Sequence, residues 1–307
     1  MYEQFFGFDA RPFDLTPNPR FLVMTDLHRE ALSNLEYGIT SHKGVTLLLG
    51  EAGTGKTTII RAAMAKQPER SHCVHLHNPA LSRAEFVQML AAQFSLSPLA
   101  RTSKADLLLE FEQLLQRRRD ANETTVLIVD EAQALSPEML EEIRLLTNIE
   151  RDAEKLLLLI IAGQPEFAGR LNDPSLRQLK QRIALRCELR PLTLVESSKY
   201  VASRIAAVGG APAKVFTREA VVVLHEYSRG IPRTINVLAD NALLGAFASG
   251  ETIVSRRRVL EACNDFDISR PAPPAHEDAH RTKPSHAGEP LSMSEVHAVD
   301  SAISARQ

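Results

Sequence analysis

The chain has 307 residues, enough for a large hydrophobic core and for more than one structural unit. Hydrophobic residues make up 44% of it and charged residues 24%, values typical of globular proteins and not of disordered or fibrous ones. The net charge of −2 gives no overall attraction to nucleic acid or acidic membranes, although a local basic face is compatible with it. The three cysteines show no paired spacing, which argues against disulfides or a metal site and fits a reducing compartment.

Neither a signal peptide nor a transmembrane segment is expected. The N-terminus has no basic stretch leading into an apolar run. The longest apolar runs, Val126–Val129 and Leu156–Ala162, are far shorter than the roughly 20 residues that span a bilayer. We therefore expect a cytoplasmic protein that reaches the inner membrane only through a partner or a surface contact.

The first part of the chain predicts an arm followed by an α/β domain. Residues 1–25 are rich in Phe and Pro, which favours an extended arm laid over the main domain. Residues 26–190 alternate apolar runs with amphipathic helical patterns, and this is typical of an α/β domain with a parallel sheet flanked by helices on both faces. The predicted strands are Gly44–Leu49, His72–His77, Thr125–Val129 and Leu156–Ala162.

After Pro191 the apolar pattern becomes entirely helical. Residues 191–268 predict a small all-helical lid domain, with helices near Val195–Val208, Arg218–Tyr227, Pro232–Phe247 and Ser255–Phe266. Residues 269–307 lose this periodicity and are dominated by Pro, His, Ser, Ala and charged residues. Such a segment buries too little apolar area to offset its ordering entropy, so we expect a disordered tail.

The strongest motif is G-x-x-x-x-G-K-T at Gly50–Thr57, between an apolar strand and a helix. Its backbone N–H groups are expected to surround phosphate oxygens, because its glycines permit the dihedral angles required. Lys56 would contact the β- and γ-phosphates, and the Thr57 hydroxyl would bind Mg²⁺. A glycine-rich turn with a surface lysine is the alternative. The predicted nucleotide-binding residues are Gly50, Glu51, Ala52, Gly53, Thr54, Gly55, Lys56, Thr57, Thr58 and Arg233.

Two carboxylates follow the apolar strand Val126–Val129, at the strand end where ligands bind in open α/β sheets. Asp130 is predicted to hold Mg²⁺, directly or through water. Glu131 is predicted to polarise the water that attacks the γ-phosphate. An apolar strand that ends in Asp-Glu is common by itself. Here it indicates a site for Mg²⁺ and the attacking water, because a phosphate loop precedes it in the sequence.

Gln164 supplies a polar amide at the end of an apolar strand. We expect this amide to lie beside Asp130 and to reach the γ-phosphate or the attacking water. Capping of the next turn is the alternative.

The stretch Leu176–Ile183 is basic and predicted to be helical. Arg177 and Arg182 are candidates for an arginine finger that reaches the nucleotide of a neighbouring subunit in a homo-oligomer, and Arg182 is preferred because it ends the stretch. A solvated basic face is the alternative.

Arg233 follows Gly230-Ile231-Pro232, where the proline favours the first turn of a helix. A cation is unfavourable near a helix N-terminus, which suggests that Arg233 interacts with an anion outside the helix. A structural ion pair is the alternative.

Together these motifs resemble those of the AAA+ ATPases. Gly50–Thr57 resembles Walker A, and Val126–Glu131 resembles Walker B. Gln164 falls at the sensor 1 position, which is more often asparagine. Arg233 resembles sensor 2 of the helical lid. The cofactors implied are ATP and Mg²⁺.

Further segments resemble the ExeA/GspA-type ATPases over about Met1–Phe266. They are Tyr2–Gly7, Pro12–Phe13, Thr16–Phe21, His28–Leu32, Gly163–Glu166, Leu176–Arg182 and Gly230–Asn236. That family includes a general-secretion assembly ATPase, ATPases beside exosortase and exopolysaccharide loci, and relatives of the transposition regulators TniB and MuB. We expect the chain to differ from the full-length secretion protein, because it shows no transmembrane segment and its C-terminal tail is too short and polar for a peptidoglycan-binding domain. The resemblance also suggests that the arm and His28 shape an adenine pocket, with simple packing as the alternative.

The resemblance implies an ATPase that drives assembly or remodelling of a partner, in a secretion or exopolysaccharide/exosortase-type system. An ATP-dependent DNA-binding transposition regulator is one alternative, disfavoured by the charge balance and by the lack of a recognised DNA-reading motif. A nucleotide-gated scaffold with negligible hydrolysis is another.

Overall fold

Seven strands appear in the computed structural model, which describes residues 1–15, 23–76, 81–152 and 154–270. They are β1 (Val45–Gly50), β2 (Ser71–Leu76), β3 (Thr124–Val129), β4 (Glu150–Arg151), β5 (Glu154–Lys155), β6 (Leu157–Gly163) and β7 (Ile183–Leu189). Five of them form one parallel sheet in the order β2-β3-β6-β1-β7, and β4 and β5 form a separate antiparallel pair. The predicted parallel sheet is confirmed.

Helices connect these strands and then follow them. Those up to the last strand of the sheet are α1 (Tyr2–Phe6), α2 (Asp26–Thr40), α3 (Lys56–Ala65), α4 (Arg83–Gln93), α5 (Lys104–Asp120), α6 (Pro137–Leu146), α7 (Pro165–Arg170) and α8 (Arg177–Gln181). The later ones are α9 (Leu194–Ala206), α10 (Pro212–Val215), α11 (Arg218–Ser228), α12 (Pro232–Ala248) and α13 (Arg256–Asp265). The described residues, which end at Arg270, form one compact unit.

The central strands β1, β3 and β6 are buried on both faces, which explains why they read as continuous apolar runs. In β3, Leu127 and Val129 join a core that contains side chains of α4–α8, whereas Val126 and Ile128 join a second core with α2 and α3. The strands β1 and β6 alternate between the same two cores. This alternation fixes the register, since a slip of one residue would exchange the two faces.

The edge strand β7 differs from the sequence-based expectation. Leu176–Ile183 was expected to be helical throughout, but α8 ends at Gln181 and β7 begins at Ile183. Along β7 the exposed residues Ala184, Arg186 and Glu188 alternate with more buried ones. An edge strand with one solvated face lacks the continuous apolar run by which the central strands are recognised.

The N-terminal arm also differs from the expectation. Its first residues form the helix α1 and not an extended segment, because the prolines that exclude a helix begin only at Pro12. Of its described residues, Tyr2, Phe8 and Phe13 lie in one core with residues of α9, α11 and α12 of the helical region, whereas Met24 packs against the core of α2 and α3. The arm therefore completes the hydrophobic core of the helical region.

Two predicted segments lie outside the described residues. They are Thr16–Phe21 of the arm and most of the predicted tail, from residue 271 onwards. None of the helices within the described ranges combines the length and the apolar character needed to cross a bilayer.

Candidate nucleotide site

The topology of the sheet brings the predicted residues to one edge. Because β1, β3 and β6 are parallel, their carboxyl ends lie at the same side of the sheet. β6 lies between β1 and β3, so Gln164 leaves the sheet between the phosphate loop and Asp130. This order explains how residues far apart in the sequence form one site.

Lys56 is folded back into the phosphate loop. Its ammonium donates hydrogen bonds to the carbonyl oxygens of Gly50 at 2.8 Å and Glu51 at 3.1 Å. Burial lowers the pKa of Lys56, an effect opposed by the carboxylates of Glu131 and Asp130. The buried cation is thus held at the first turn of α3, where N–H groups and the helix dipole favour an anion.

Gly53 is where the loop meets the helical region. Its φ of +83° belongs to the left-handed region, and an added Cβ would lie 2.7 Å from the Cβ of Arg233. The Arg233 N–H, at the start of α12, donates to the Gly53 carbonyl at 3.3 Å. Only glycine permits this approach, which places Arg233 directly against the loop.

Thr57 and Asp130 form a direct pair, with the threonine hydroxyl donating to Asp130 Oδ2 at 2.7 Å. Burial by itself raises the pKa of Asp130. Three neighbours outweigh that effect and hold the pKa below its ordinary value: the His75 imidazole, the Thr57 hydroxyl and the N–H of Glu131. A hydroxyl and an ionised carboxylate beside a phosphate loop are the hard oxygen donors that Mg²⁺ prefers, so these residues fit that ion.

Glu131 follows Asp130 in a left-handed conformation, with φ 53° and ψ 40°. Its Oε2 accepts a hydrogen bond from the Gln164 amide at 3.5 Å. It also accepts one from the side chain of Gln133, a residue that the sequence patterns do not single out. Gln133 lies in the short 3₁₀ turn Ala132–Ala134, where spacing carries no signal for its orientation.

A cleft of about 400 Å³ adjoins the loop and is lined by residues from several parts of the chain, including His28 of α2 and Glu131. The loop supplies Gly53–Thr58, the arm supplies Asp14 and Leu15, and the helical region supplies residues including Arg233 and Asn236. The cleft is large enough for a nucleotide-sized ligand.

The buried His28 braces the loop from α2. Its Nε2 lies 3.1 Å from the Thr54 carbonyl oxygen, and its Nδ1 lies 2.6 Å from the Thr25 hydroxyl. Burial lowers the pKa of His28, which favours the neutral ring. Since a carbonyl only accepts, Nε2 carries the proton in that neutral ring and Nδ1 accepts from Thr25. The geometry shows a loop contact for His28, and its predicted part in an adenine pocket stays a prediction.

The sequence patterns also miss a buried polar network at the far side of the cleft. Arg204 donates to the carbonyl oxygens of Pro12 and Asp14 and to the Tyr200 hydroxyl. That hydroxyl donates to Asn236 Oδ1 at 2.9 Å. The network fastens the arm to α9 and α12, so arm and helical region form one wall of the cleft.

The two predicted finger residues lie away from this cleft. Arg182 caps α8 next to Ile183, which pairs with Val45 at the start of β1. A cavity of about 650 Å³ lies there, and its described lining includes three cations, Lys43, Lys155 and Arg182. Arg182 donates to the Thr147 carbonyl oxygen at 2.9 Å. Arg177 is exposed at the start of α8 and is not part of that described lining.

Residues 39–171 match the AAA domain family, and they contain the phosphate loop, Asp130, Glu131 and Gln164. The chain therefore contains an AAA domain of the P-loop nucleoside triphosphatase class. Within that class it is similar to the general secretion pathway protein A of Aeromonas hydrophila, with 41% identity over 251 residues. The alignment covers 81% of this chain and 46% of the relative, so the chain spans less than half of the relative's length.

Solved structures share the fold. The Cdc6p of Pyrobaculum aerophilum superposes with a TM-score of 0.63 at 18% identity, over 83% of this chain and 70% of that one. The ORC2 protein of Aeropyrum pernix gives a TM-score of 0.62 at 19% identity, over 86% of this chain and 73% of that one. At these identities the likeness establishes the architecture alone.

Proposed function

We propose that this chain binds ATP with Mg²⁺ and hydrolyses it. The observation that carries the proposal is the meeting of Lys56, the Thr57–Asp130 pair and Glu131 at one edge of the sheet. An AAA domain of the P-loop NTPase class supports the general activity. The roles of the individual residues follow from their positions.

The substrate phosphates would lie in the loop Gly50–Thr58, against its N–H groups and the N-terminus of α3. Lys56 would exchange its two carbonyl acceptors for phosphate oxygens, which are stronger partners for an ammonium. Arg233 would supply a second cation from the helical region. Because the Arg233 N–H donates to the Gly53 carbonyl, phosphate binding and closure of the helical region would both act on the phosphate loop.

Thr57 and Asp130 would hold Mg²⁺, directly or through water. The ion supplies charge neutralisation on the β- and γ-phosphates. Its two protein ligands are already within 2.7 Å of each other, so little reorganisation of the chain is needed. The lowered pKa of Asp130 keeps that carboxylate ionised at neutral pH.

Hydrolysis requires a base for the attacking water. The water oxygen would bond to the γ-phosphorus, the bond from that phosphorus to the β–γ bridging oxygen would break, and the water proton would pass to Glu131. Gln164, which shares the carboxylate, would orient the water or the γ-phosphate. ADP then carries the charge of the departing bridging oxygen.

The experiment that tests this proposal is phosphate release by the wild type and by Glu131→Gln. The variant keeps the shape of the side chain but not its basicity, so turnover is expected to fall about 10²- to 10⁴-fold. Binding of a fluorescent ATP analogue is expected to stay unchanged. Glu138→Gln, at an exposed position of α6, is the matched control. A wild type without turnover at any concentration would instead leave a nucleotide-gated scaffold, and wild-type turnover by Glu131→Gln would remove the base.

We further propose that turnover needs a second copy of the chain. Arg182 lies beside the start of β1, whereas the phosphate loop follows its end, about 16 Å away along the strand. An arginine at that distance serves a neighbour's nucleotide more readily than its own. A homo-oligomer is therefore the proposed active form, with Arg182 preferred to Arg177.

The name of the curated relative supports a role in secretion. We propose that the nucleotide state controls assembly or remodelling of a component of a secretion or exopolysaccharide/exosortase-type system, from the cytoplasmic side of the inner membrane. Glu131→Gln and Lys56→Ala form the test pair, because the first is expected to hold ATP and the second to bind it about tenfold more weakly or worse. Co-expressed products of the adjacent genes are expected to co-purify with the first variant only. Filaments of Glu131→Gln on duplex DNA would replace this proposal with a transposition regulator.

A further inference from the structure

The side chain of Gln133 joins two parts of the nucleotide site. Its carbonyl oxygen accepts the backbone N–H of Gln164 at 3.0 Å, and its amide nitrogen donates to Glu131 Oε2. The orientation of this amide is determined by chemistry, because a backbone N–H faces only an acceptor and a carboxylate faces only a donor. One planar group thus connects the end of β6 to the proposed base.

Arg170 holds the turn that carries Gln133. Its guanidinium donates to the carbonyl oxygens of Gln133 at 2.7 Å and of Leu135 at 2.9 Å. Arg170 ends α7, and Gln164 is the residue that precedes the first turn of the same helix. In that helix, Phe167 is fully buried and packs against Gly163, where an added Cβ would lie 3.2 Å from the Phe167 Cβ. The helix α7 therefore fixes both ends of the connection.

Glu131 needs such support because its backbone is in the left-handed region. A residue other than glycine is strained there and persists only where its surroundings hold it. The Glu131 N–H donates to Asp130 Oδ1 at 2.9 Å, which fixes the backbone side of the residue. The direction of the carboxylate is then left to Gln133 and Gln164.

We propose that Gln133 is a positioning residue for Glu131, and that Gln133, Arg170 and α7 link Gln164 to that carboxylate. The inference rests on the proposed hydrolysis of ATP. It adds a form of regulation at the same site. A displacement of Gln164 would move the backbone N–H that donates to the Gln133 side chain, and Gln133 would then redirect the Glu131 carboxylate. Gln133 does not touch the reacting atoms, and its effect passes through Glu131.

The first test is Gln133→Met, which keeps the length and volume of the side chain but removes the amide. The turnover number is expected to fall about 10- to 100-fold, the loss that a misplaced catalytic group produces. ATP affinity, measured with the fluorescent analogue, is expected to stay within about twofold, a split between turnover and binding that a general structural defect does not produce. Gln113→Met, on the exposed face of α5, is the matched control.

A double-mutant cycle decides whether Gln133 acts through the base. In the Glu131→Gln background, Gln133→Met is expected to cause no further loss of turnover. The same loss in both backgrounds would overturn the inference, and so would wild-type turnover by Gln133→Met alone. The inactivity of the wild type would refute the proposed hydrolysis itself, which distinguishes the two failures.

Should Gln133→Met not fold, Arg170→Lys provides the second variant. A lysine keeps the charge but lacks the planar fork that reaches two carbonyl oxygens. Turnover is then expected to fall with unchanged ATP affinity, and a variant with wild-type turnover would overturn the inference.

Discussion

The two ends of the central strands differ in how their polar residues are paired. The end that carries the phosphate loop is called the first edge, and the opposite end, where β1 begins, is called the second edge. Where β1, β3 and β6 end, Thr57 meets Asp130 at 2.7 Å and Gln164 meets Glu131 at 3.5 Å. At the opposite edge, a larger cavity has Lys43, Lys155 and Arg182 in its lining. The first edge is a candidate site assembled within one chain, where both carboxylates already accept hydrogen bonds from neighbouring side chains.

The second edge is basic, although Lys155 is paired with Glu150. Three cations in one lining are unfavourable to each other, and a bound anion would relieve that repulsion. Under the proposed function, a nucleotide phosphate bound at the first edge would be complementary to the cations of the second. This complementarity is what a head-to-tail oligomer requires, with the loop edge of one copy facing the cation edge of the next.

The largest expected effect tests the second edge. Arg182→Ala should lower turnover about 10³-fold, because a finger residue stabilises charge in phosphoryl transfer, while ATP affinity stays unchanged. Specific activity of the wild type should rise with protein concentration. The measurement is phosphate release over a range of concentrations, with Arg177→Ala at the other end of α8 as the matched variant. If Arg177→Ala loses activity and Arg182→Ala does not, the finger is Arg177.

Mixing two variants, one altered at each edge, is a second test of the comparison between the edges. Arg182→Ala retains an intact loop edge, and Lys56→Ala retains an intact cation edge. Together they should recover part of the turnover that each lacks alone. Activity that is independent of concentration, with Arg182→Ala fully active, would leave a monomeric enzyme and make Arg182 a surface charge.

A smaller effect is expected at the first edge. Lys56→Ala removes a charge-assisted contact to phosphate, worth about 1.5–3 kcal/mol, so ATP should bind about tenfold more weakly or worse. Titration of a fluorescent ATP analogue measures this. Lys66→Ala, at the exposed end of the same helix, is the matched control. Equal affinities for Lys56→Ala and the wild type would show that the phosphates bind elsewhere.

The sequence predicts the first edge far better than the second. Central strands buried on both faces are continuous apolar runs, and a phosphate loop has a fixed spacing, so β1, β3 and β6 and their terminal residues follow from pattern alone. The edge strand β7 alternates and was missed. Lys43 and Lys155 meet Arg182 only through the sheet order, which no local pattern encodes.

The role of Gln133 and the packing of the predicted arm escaped the sequence patterns for a different reason. Gln133 acts through a tight turn whose dihedral angles decide its direction, and neither the turn nor the left-handed Glu131 leaves a mark on residue spacing. The arm packs on the helical region because Phe8 and Phe13 fill its core, a tertiary choice between two apolar surfaces. The domain boundaries, and the roles of the individual site residues, remain predictions to be tested by the variants above.

The smallest expected effect concerns residues beyond both edges. Every residue assigned to either edge lies before position 271, and the chain from there to Gln307 lacks an apolar pattern that could add to a core. Deleting residues 271–307 should therefore change the melting temperature by less than about 2 °C and leave ATP affinity unchanged. A deletion from position 257 is the control, because it also removes Val259, Ala262 and Cys263, which are buried in the helical core. Loss of several buried side chains costs several kcal/mol, so this control should unfold far earlier. If the shorter deletion destabilised the protein as much as the longer one, the residues after 270 would belong to the folded body. The folded body would then extend beyond the residues that form the two edges.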